Sequence, residues 1–295
     1  MPVTTPFKNV HIIFNPNSTS DSLAMAKQFS KGATAAFPEV PVTLIETQHA
    51  GHAEELAYAI TRDNIAPLIV SVSGDGGYHE LVNGALHATD EGLGQPFCGV
   101  LPGGNANDHY RHVYKRPLLV ALEDAQPTAL DVLAITNGQT VRYAHSYAGL
   151  GITPQVAMEL NKHSLSTYRE IILCIQSFRK FRPFELLHQN KTQKLDSLIV
   201  SNIEAMAKVI TLDETSDPTD GLFELIIWPH GSKLQLLKIL LQSALGKPPR
   251  PEKSKLLEFR TTKPLPMQLD GEIIQLSADT DVVIKLAPAK LVTFL

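Results

Sequence analysis

The chain has 295 residues, of which 43% are hydrophobic and 19% are charged, and this length and composition are typical of a globular protein with two domains. The formal net charge of −4 argues against a general nucleic-acid-binding protein, which would carry an excess of basic residues. The sequence contains no apolar run long enough to span a membrane, so we expect no transmembrane helix.

The first half of the chain alternates between strand and helix patterns. The run "NVHIIF" predicts a strand, and a helix from about Ser22 to Phe37 follows it. The alternation continues with the strands "PVTLIETQ", "APLIVSVSG" and "PFCGVLP", each followed by a helical pattern. The apolar character of "LIV" in the third strand indicates burial on both faces. This order predicts a parallel sheet covered by helices.

The pattern changes near Thr128, where short strands begin to dominate. The segment "TALDVLAITNGQTVRYA" predicts a hairpin that turns at Asn-Gly, and strand-like runs continue to the last residues, "DVVIKLAPAKLVTFL". Two stretches are predicted to be helical, at about 166–181 and 232–245, and the proline-rich residues 246–253 are predicted to form an exposed loop. A second, β-rich domain follows from this pattern.

Three polar or glycine-rich turns, at residues 15–18, 74–77 and 101–108, follow strands of the predicted sheet. The carboxyl ends of parallel strands share one edge, where ligands of such sheets bind. Glycine lets backbone N–H groups approach a ligand closely, and a helix that begins near Gly77 suits a phosphate. The turns contain neither a Walker lysine nor a dinucleotide fingerprint, so another kind of phosphate site is predicted.

Five motifs resemble those of the diacylglycerol kinase catalytic domain family, which includes bacterial lipid kinases and sphingosine kinases and is distantly related to NAD kinases. The segment "SGDGGYHELVNG" looks like the family's GGDG-x-x-x-E-x-x-N-G signature. The segments "NPNS", "LPGGNANDHYR", "DPTDGLFEL" and "QLDGE" resemble four others, in the family's order. Each match is weak alone, but the ordered set covers nearly the whole chain.

The resemblance implies a Rossmann-like α/β domain with a parallel sheet, a C-terminal β-sandwich domain and an active site in the cleft between them. The α/β domain is expected at residues 1–128, completed by a C-terminal strand at about 286–295, and the β-sandwich at 129–285. The reaction implied is transfer of the γ-phosphoryl group of ATP, with Mg²⁺, to a lipid hydroxyl. The residues that correspond to nucleotide-binding positions are Asn15, Ser18, Thr47, Ser73, Gly74, Asp75, Gly76, Gly77, Gly104 and Asn105.

The resemblance also implies roles for carboxylates. Glu272 corresponds to the general base, and Asp75 is the second candidate for that role. The more expected role of Asp75 is to organise Mg²⁺ and the phosphates, with Asp108 and Asp131 in support. A separate structural Mg²⁺ site would use the side chain of Asp220 and the main-chain oxygens of Asp217 and Leu222, although an ordinary hairpin turn explains that segment nearly as well.

Four positions depart from the family pattern. Ser73 stands where the first glycine of GGDG is usual, and Gly77 and Asn105 stand where threonines are usual. Thr19 replaces a glycine of the first loop. The losses at 77 and 105 remove hydroxyls that could contact phosphate, so weakened use of ATP stays open.

Several weaker signals in the sequence indicate the cellular setting. The N-terminus lacks the pattern of a signal peptide, and Cys98 and Cys174 lie far apart, so a cytoplasmic protein with reduced thiols is expected. The pairs His49–His52 and His109–His112 lack further evident ligands, so a zinc site is not predicted.

The expected partners are ATP and a lipid at a membrane surface, without nucleic acid, and a homodimer stays open. Apolar faces with basic flanks in residues 166–182 and 232–255 fit peripheral membrane binding, although covering the β domain is the favoured explanation of the apolar stripes. The identity of the lipid stays open. The alternatives are a kinase of a soluble acceptor such as NAD and a non-catalytic nucleotide-binding regulator.

Overall fold

A computed structural model describes residues 5–124, 126–152, 182–206, 210–232, 234, 235, 238, 242 and 250–295. The chain divides into two compact units. Unit 1 comprises Met1–Val132 and Pro288–Leu295, and unit 2 comprises Leu133–Ala287. None of the helices within the described ranges is long and apolar enough to cross a membrane.

Unit 1 alternates strands and helices along the chain. Its elements are β1 (Asn9–Phe14), α1 (Ser22–Ala36), β2 (Val42–Glu46), α2 (His52–Asp63), β3 (Pro67–Ser73), α3 (Asp75–Asp90), β4 (Phe97–Pro102), α4 (Asp108–Val113) and α5 (Leu118–Asp124). The four strands form a parallel sheet in the order β2-β1-β3-β4. The predicted parallel sheet with helices is confirmed.

The strand order places a topological switch point between β1 and β3. From β1 the chain first adds β2 on one side, and it then returns to add β3 and β4 on the other side. The connections on the two sides therefore diverge at the carboxyl ends of β1 and β3, which opens a crevice where ligands of such sheets bind. The turns that begin at Asn15 and Gly74 lie at these strand ends.

Strand β3 is apolar because it lies in the core of unit 1. All seven residues of this strand are buried, in agreement with a strand covered on both faces. Phe294, from the C-terminal segment, packs edge-on against Phe7 and near Phe97, with ring centroids 5.9 and 5.3 Å apart. Cys98 is a buried free thiol, and burial raises its pKa to about 12, so it is not a reactive nucleophile.

Helices α2 and α3 pack closely because of one glycine. A Cβ atom added to Gly84 would lie 2.0 Å from the carbonyl oxygen of Glu54, a main-chain atom that cannot move aside without shifting α2. Gly84 is the glycine of the "VNG" part of the family motif. Its role is therefore helix packing rather than ligand binding.

Unit 2 contains the antiparallel part of the fold. The strands from residue 128 onward are β5 (Thr128–Asn137), β6 (Thr140–Ala144), β7 (Tyr147–Gly151), β8 (Phe184–His188), β9 (Lys191–Ser201), β10 (Ala205–Met206), β11 (Ile210–Thr211), β12 (Phe223–Pro229), β13 (Glu252–Ser254), β14 (Leu256–Thr261), β15 (Leu265–Leu269), β16 (Glu272–Leu276) and β17 (Asp281–Thr293). The main path of the sheet runs β16-β15-β7-β9-β8-β14-β17-β5-β6, and β12 pairs with β9 and β13. The prediction of a β-rich C-terminal domain is confirmed.

The alternating strands bury one continuous apolar cluster. It includes Leu198, Phe223, Phe259, Met267 and Ile284, each at most 4% exposed. The alternation is clearest in β14, where buried and exposed residues follow each other along all six positions.

Two local predictions for unit 2 need correction. The β5–β6 hairpin turns at Gly138–Gln139 rather than at Asn-Gly, because Asn137 already pairs with Thr140. The predicted loop at 246–253 ends inside strand β13, which pairs with β12 and so gains main-chain partners. The predicted helix at 166–181 lies outside the described residues. Of the predicted helix at 232–245, residues 234, 235, 238 and 242 are described as helical, and residue 232 is described as non-helical.

Candidate active site

The three predicted turns of unit 1 are joined by main-chain hydrogen bonds. The Asn15 N–H donates to the carbonyl of Val72 at 3.4 Å, and the Gly103 N–H donates to the carbonyl of Ser73 at 2.9 Å. The Ser20 N–H donates to the carbonyl of Gly103 at 3.1 Å. The sheet edge thus brings the turns together, as predicted from their positions after the strands.

Glycine is required where the second and third turns meet. A Cβ atom on Gly104 would lie 2.3 Å from the Cα of Gly74, and one on Gly103 would lie 2.9 Å from the Ser73 nitrogen. Both obstacles are main-chain atoms, so a larger residue would push the turns apart. The glycines therefore allow two loops to approach each other as well as leaving room for a ligand.

Asp75 holds the beginning of α4. Its carboxylate oxygens accept hydrogen bonds from the main-chain N–H groups of Asp108 and His109, each at 3.1 Å. This is a long-range cap, because Asp75 is itself the first residue of α3. The aspartate of the glycine turn thus positions the neighbouring loop, a role that the sequence analysis missed.

Two further positioning residues were not predicted from the sequence, one with partners on another loop and one with its partner in its own loop. The Glu80 carboxylate accepts the N–H groups of Gly51 and Ala53, at 2.8 and 3.2 Å, and so caps the start of α2. Asn107 has a left-handed backbone with φ +53° and closes its loop with two side-chain bonds to Gly104. The glutamate of the signature motif therefore holds the helix that follows β2.

The departures at positions 73 and 77 are spatially linked. A Cβ atom on Gly77 would lie 2.5 Å from Ser73 Oγ and 2.7 Å from Ser73 Cβ. Ser73 is 4% exposed, its hydroxyl donates to the Gly74 carbonyl at 3.0 Å and it lies 2.6 Å from the Ser71 hydroxyl. The serine side chain fills the space that a threonine at 77 would use, so one departure accommodates the other.

The first turn presents hydroxyl and amide groups. The Asn15 carbonyl accepts the N–H and the hydroxyl of Ser18, at 3.1 and 3.0 Å, and the hydroxyl of Ser22. Thr47 follows β2, where its N–H donates to the carbonyl of Phe14 at 3.0 Å. Asn105 is exposed on the third turn. These residues share the carboxyl edge of the sheet, although contact with a nucleotide stays a prediction.

The two supporting aspartates are placed in the interior of unit 1. Asp108 is fully buried at the start of α4. Asp131 is 3% exposed, and its carboxylate accepts the N–H of Ala289 at 2.7 Å. Asp131 therefore fixes the C-terminal segment, which gives it a structural contact that the sequence did not indicate.

The predicted base, Glu272, is exposed at the start of β16 in unit 2. Leu269 pairs with Glu272, so Asp270 and Gly271 form a two-residue turn with φ of +50° and +100°. The buried Asp270 carboxylate accepts the N–H groups of His145, Ser146 and Tyr147, at 2.8, 2.9 and 2.9 Å. Asp270 thereby anchors the turn from which Glu272 extends, and the role of Glu272 as base stays a prediction.

The predicted metal loop of unit 2 has a different cation beside it. Asp220 Oδ1 accepts the N–H of Leu222 at 2.9 Å, and Asp220 Oδ2 lies 2.8 Å from the Lys253 ammonium. Asp217 Oδ1 accepts the N–H and the hydroxyl of Thr219, at 2.9 and 2.6 Å. The Asp220 carboxylate is thus engaged by an N–H group and an ammonium, and the Asp217 carbonyl accepts the N–H of Asp220 at 3.2 Å, so these groups do not fit an open Mg²⁺ site.

His49 and His52 do have a third neighbour with a possible ligand atom, Glu55, one turn along α2. However, the His52 Nδ1 atom accepts the N–H of Gln48 at 3.0 Å, so this nitrogen already has a partner. The absence of a zinc site stays a prediction.

This chain is similar to known proteins over the region that contains the turns described above. Residues 9–142 match the family model of the diacylglycerol kinase catalytic domain. The chain is 23% identical over 257 residues to the putative lipid kinase YtlR of Bacillus subtilis (strain 168), covering 77% of this chain and 82% of that protein.

Solved structures extend the similarity to the whole fold. A crystal structure of a putative diacylglycerol kinase from Bacillus anthracis str. Sterne has a TM-score of 0.73 at 18% identity, covering 99% of this chain and 98% of that chain. A second, of a diacylglycerol kinase from the same organism, has a TM-score of 0.69 at 16% identity with the same coverage. At these identities the structures show a shared fold. The predicted resemblance to the diacylglycerol kinase catalytic domain family is confirmed over residues 9–142.

Proposed function

We propose that this chain is an ATP-dependent kinase that transfers the γ-phosphoryl group to a lipid hydroxyl. The observation that carries the proposal is the glycine turn between β3 and α3. Its Asp75 carboxylate bonds to the main chain of the neighbouring loop, within the segment that matches the kinase domain. A turn that only reversed the chain would not need this second connection.

The sheet edge fits a nucleotide phosphate. Gly74, Gly103 and Gly104 leave the turns free of side chains, and the contact between two of them would be blocked by a Cβ atom. Helix α3 begins at Asp75 after a glycine cap, so its first-turn N–H groups lie at the same edge. We infer that ATP binds here, with Ser18 and Thr47 contributing hydroxyl groups.

Mg²⁺ would accompany ATP and would neutralise part of the phosphate charge when bound. Asp75 is the residue that we propose to hold it, because its carboxylate lies at the start of α3, in the glycine turn where we infer that the phosphates bind. Asp75 would then serve both the loop and the nucleotide.

The transfer step needs a group that accepts the proton of the acceptor hydroxyl. We propose the Glu272 carboxylate, which is exposed and anchored by Asp270. The lipid oxygen forms a bond to the γ-phosphorus as the bond from that phosphorus to the β,γ-bridging oxygen breaks. The proton passes to Glu272, and the products are a lipid phosphate and ADP.

The structure bears on the alternative of a non-catalytic nucleotide-binding regulator. The hydroxyls missing at Gly77 and Asn105 motivate the non-catalytic regulator, and at Gly77 the Ser73 side chain occupies that space with a hydroxyl of its own. The paired differences at Ser73 and Gly77 favour a turn that still binds phosphate with a different arrangement of side chains over a turn that has lost phosphate binding. The proposal includes a cytoplasmic location and peripheral binding to the membrane that carries the lipid, and a homodimer stays open.

An acceptor panel tests the function. The full chain is incubated with γ-labelled ATP, Mg²⁺ and, separately, diacylglycerol, a sphingoid base, phosphatidylglycerol, an undecaprenyl carrier, extracted membrane lipids and NAD. We expect label in a lipid product. Label in NAD alone would establish a soluble acceptor and overturn the lipid proposal, and ATP binding without transfer to any acceptor would support the regulator.

A further inference from the structure

Residues 213–224 of unit 2 concentrate negative charge. Five carboxylates lie within these twelve positions, at Asp213, Glu214, Asp217, Asp220 and Glu224, and the segment contains no lysine, arginine or histidine. These carboxylates repel one another unless a cation lies nearby. The resemblance implies Mg²⁺ as that cation, whereas the structure shows a lysine.

Lys253 reaches the loop from the neighbouring strand. It stands directly opposite Glu224 in the antiparallel pair of β12 and β13. Its ammonium lies 2.8 Å from Asp220 Oδ2 and 3.5 Å from Glu224 Oε1. One side chain therefore connects a carboxylate of the turn to a carboxylate of the strand that follows it.

The position of Glu224 explains why a cation is needed. Its side chain is 1% exposed, so water cannot stabilise the charge of this carboxylate and groups of the chain must do so. The Ser216 hydroxyl donates to Glu224 Oε2 at 2.6 Å, and Lys253 lies beside the other oxygen. Both oxygens of the buried carboxylate thus face groups that stabilise its charge.

The same ammonium stands in the way of a divalent ion at Asp220. Mg²⁺ requires carboxylate oxygens at about 2.0–2.1 Å and usually keeps several waters. Asp220 directs one oxygen to the N–H of Leu222 and the other to Lys253. A second cation at these oxygens would be repelled by the ammonium at close range.

We propose that Lys253 is the built-in cation of this loop and takes the place of a divalent metal ion, so that unit 2 needs no structural Mg²⁺. This inference concerns the stability of unit 2 and does not depend on the kinase activity. It is also separate from any Mg²⁺ that accompanies ATP, because the two predicted sites use different residues in different units.

Thermal unfolding of the full chain without nucleotide, in chelator and in excess Mg²⁺, tests the proposal. We expect the wild-type Tm to be the same in both. Lys253→Met should lower the Tm in chelator by about 2–4 °C, and Mg²⁺ should restore part of this loss. Lys255→Met removes the same charge from an exposed position two residues away and should leave the Tm unchanged in both conditions.

Three outcomes would overturn the proposal. The first is a wild-type Tm that Mg²⁺ raises and Asp220→Asn makes insensitive to Mg²⁺, because that would place a metal at the loop. The second is a Lys253→Met protein as stable as Lys255→Met. The third is a destabilised Lys253→Met protein that Mg²⁺ does not restore, which would make Lys253 an ordinary ion-pair partner rather than a substitute for a metal.

Discussion

The side chain of Ser73 and the absence of one at Gly77 form a matched pair at the phosphate turn. The two positions are four residues apart, where the last residue of β3 and the first turn of α3 face each other. A Cβ atom at 77 would overlap the Ser73 side chain, so position 77 cannot be changed toward the family pattern while Ser73 is present. The pair therefore makes a testable prediction about coupled substitutions.

Gly77→Thr alone should impair the kinase, because its side chain would collide with Ser73 and displace the turn. We expect kcat/KM for ATP to fall by about tenfold or more, corresponding to about 1.4 kcal/mol or more. The double variant Ser73→Gly/Gly77→Thr should recover most of this loss, because the serine side chain no longer occupies the space. A Gly77→Thr enzyme with wild-type kinetics, or a double variant as impaired as the single one, would show that the positions are independent.

For an alanine at position 84 of α3, helix propensity predicts a gain in stability, whereas packing against α2 predicts a loss. Alanine is favoured over glycine by up to about 1 kcal/mol in a helix interior, yet Gly84→Ala would place a Cβ atom 2.0 Å from the Glu54 carbonyl oxygen. We expect the packing effect to dominate and the free energy of unfolding to fall by about 1–3 kcal/mol, measured by denaturant unfolding.

Gly32→Ala in α1 is the matched control for Gly84→Ala. Its added Cβ atom would meet the end of the Leu119 side chain at 2.5 Å, and this side chain can rotate away. The loss of stability should therefore be clearly smaller at position 32 than at position 84. Equal effects would contradict the assignment of Gly84 to close main-chain packing.

The β15–β16 hairpin depends on the buried carboxylate of Asp270. Three main-chain N–H groups donate to it, and hydrogen bonds to a charged group contribute about 1.5–3 kcal/mol. Asp270→Asn replaces one acceptor oxygen by an NH₂ donor, so we expect the free energy of unfolding to fall by about that amount. Asp281→Asn is the control, because that carboxylate is exposed and pairs with Arg260 at the surface. A loss no larger than that of the control would show that the hairpin has another anchor.

For the whole molecule, the alternation of strands and helices was sufficient to predict the parallel sheet, because each element carried its own periodicity. The turns at its carboxyl edge followed from that sheet, since the edge is defined by strand direction. The residues that were missed act over long sequence separations. Glu80 caps a helix 27 residues earlier, and Asp131 bonds to a residue 158 positions later. Lys253 could not be assigned to the acidic loop without the β12–β13 register.

The most direct test of the account compares Glu272→Gln with wild type in the transfer of label from γ-labelled ATP to extracted membrane lipids. Glu258→Gln, an exposed glutamate on β14, is the control. We predict a labelled lipid with wild type and control, and a rate about 10²–10⁴-fold lower with Glu272→Gln, at unchanged affinity for ATP by calorimetry. The absence of labelled lipid with the wild-type chain, or full activity of Glu272→Gln, would contradict the account.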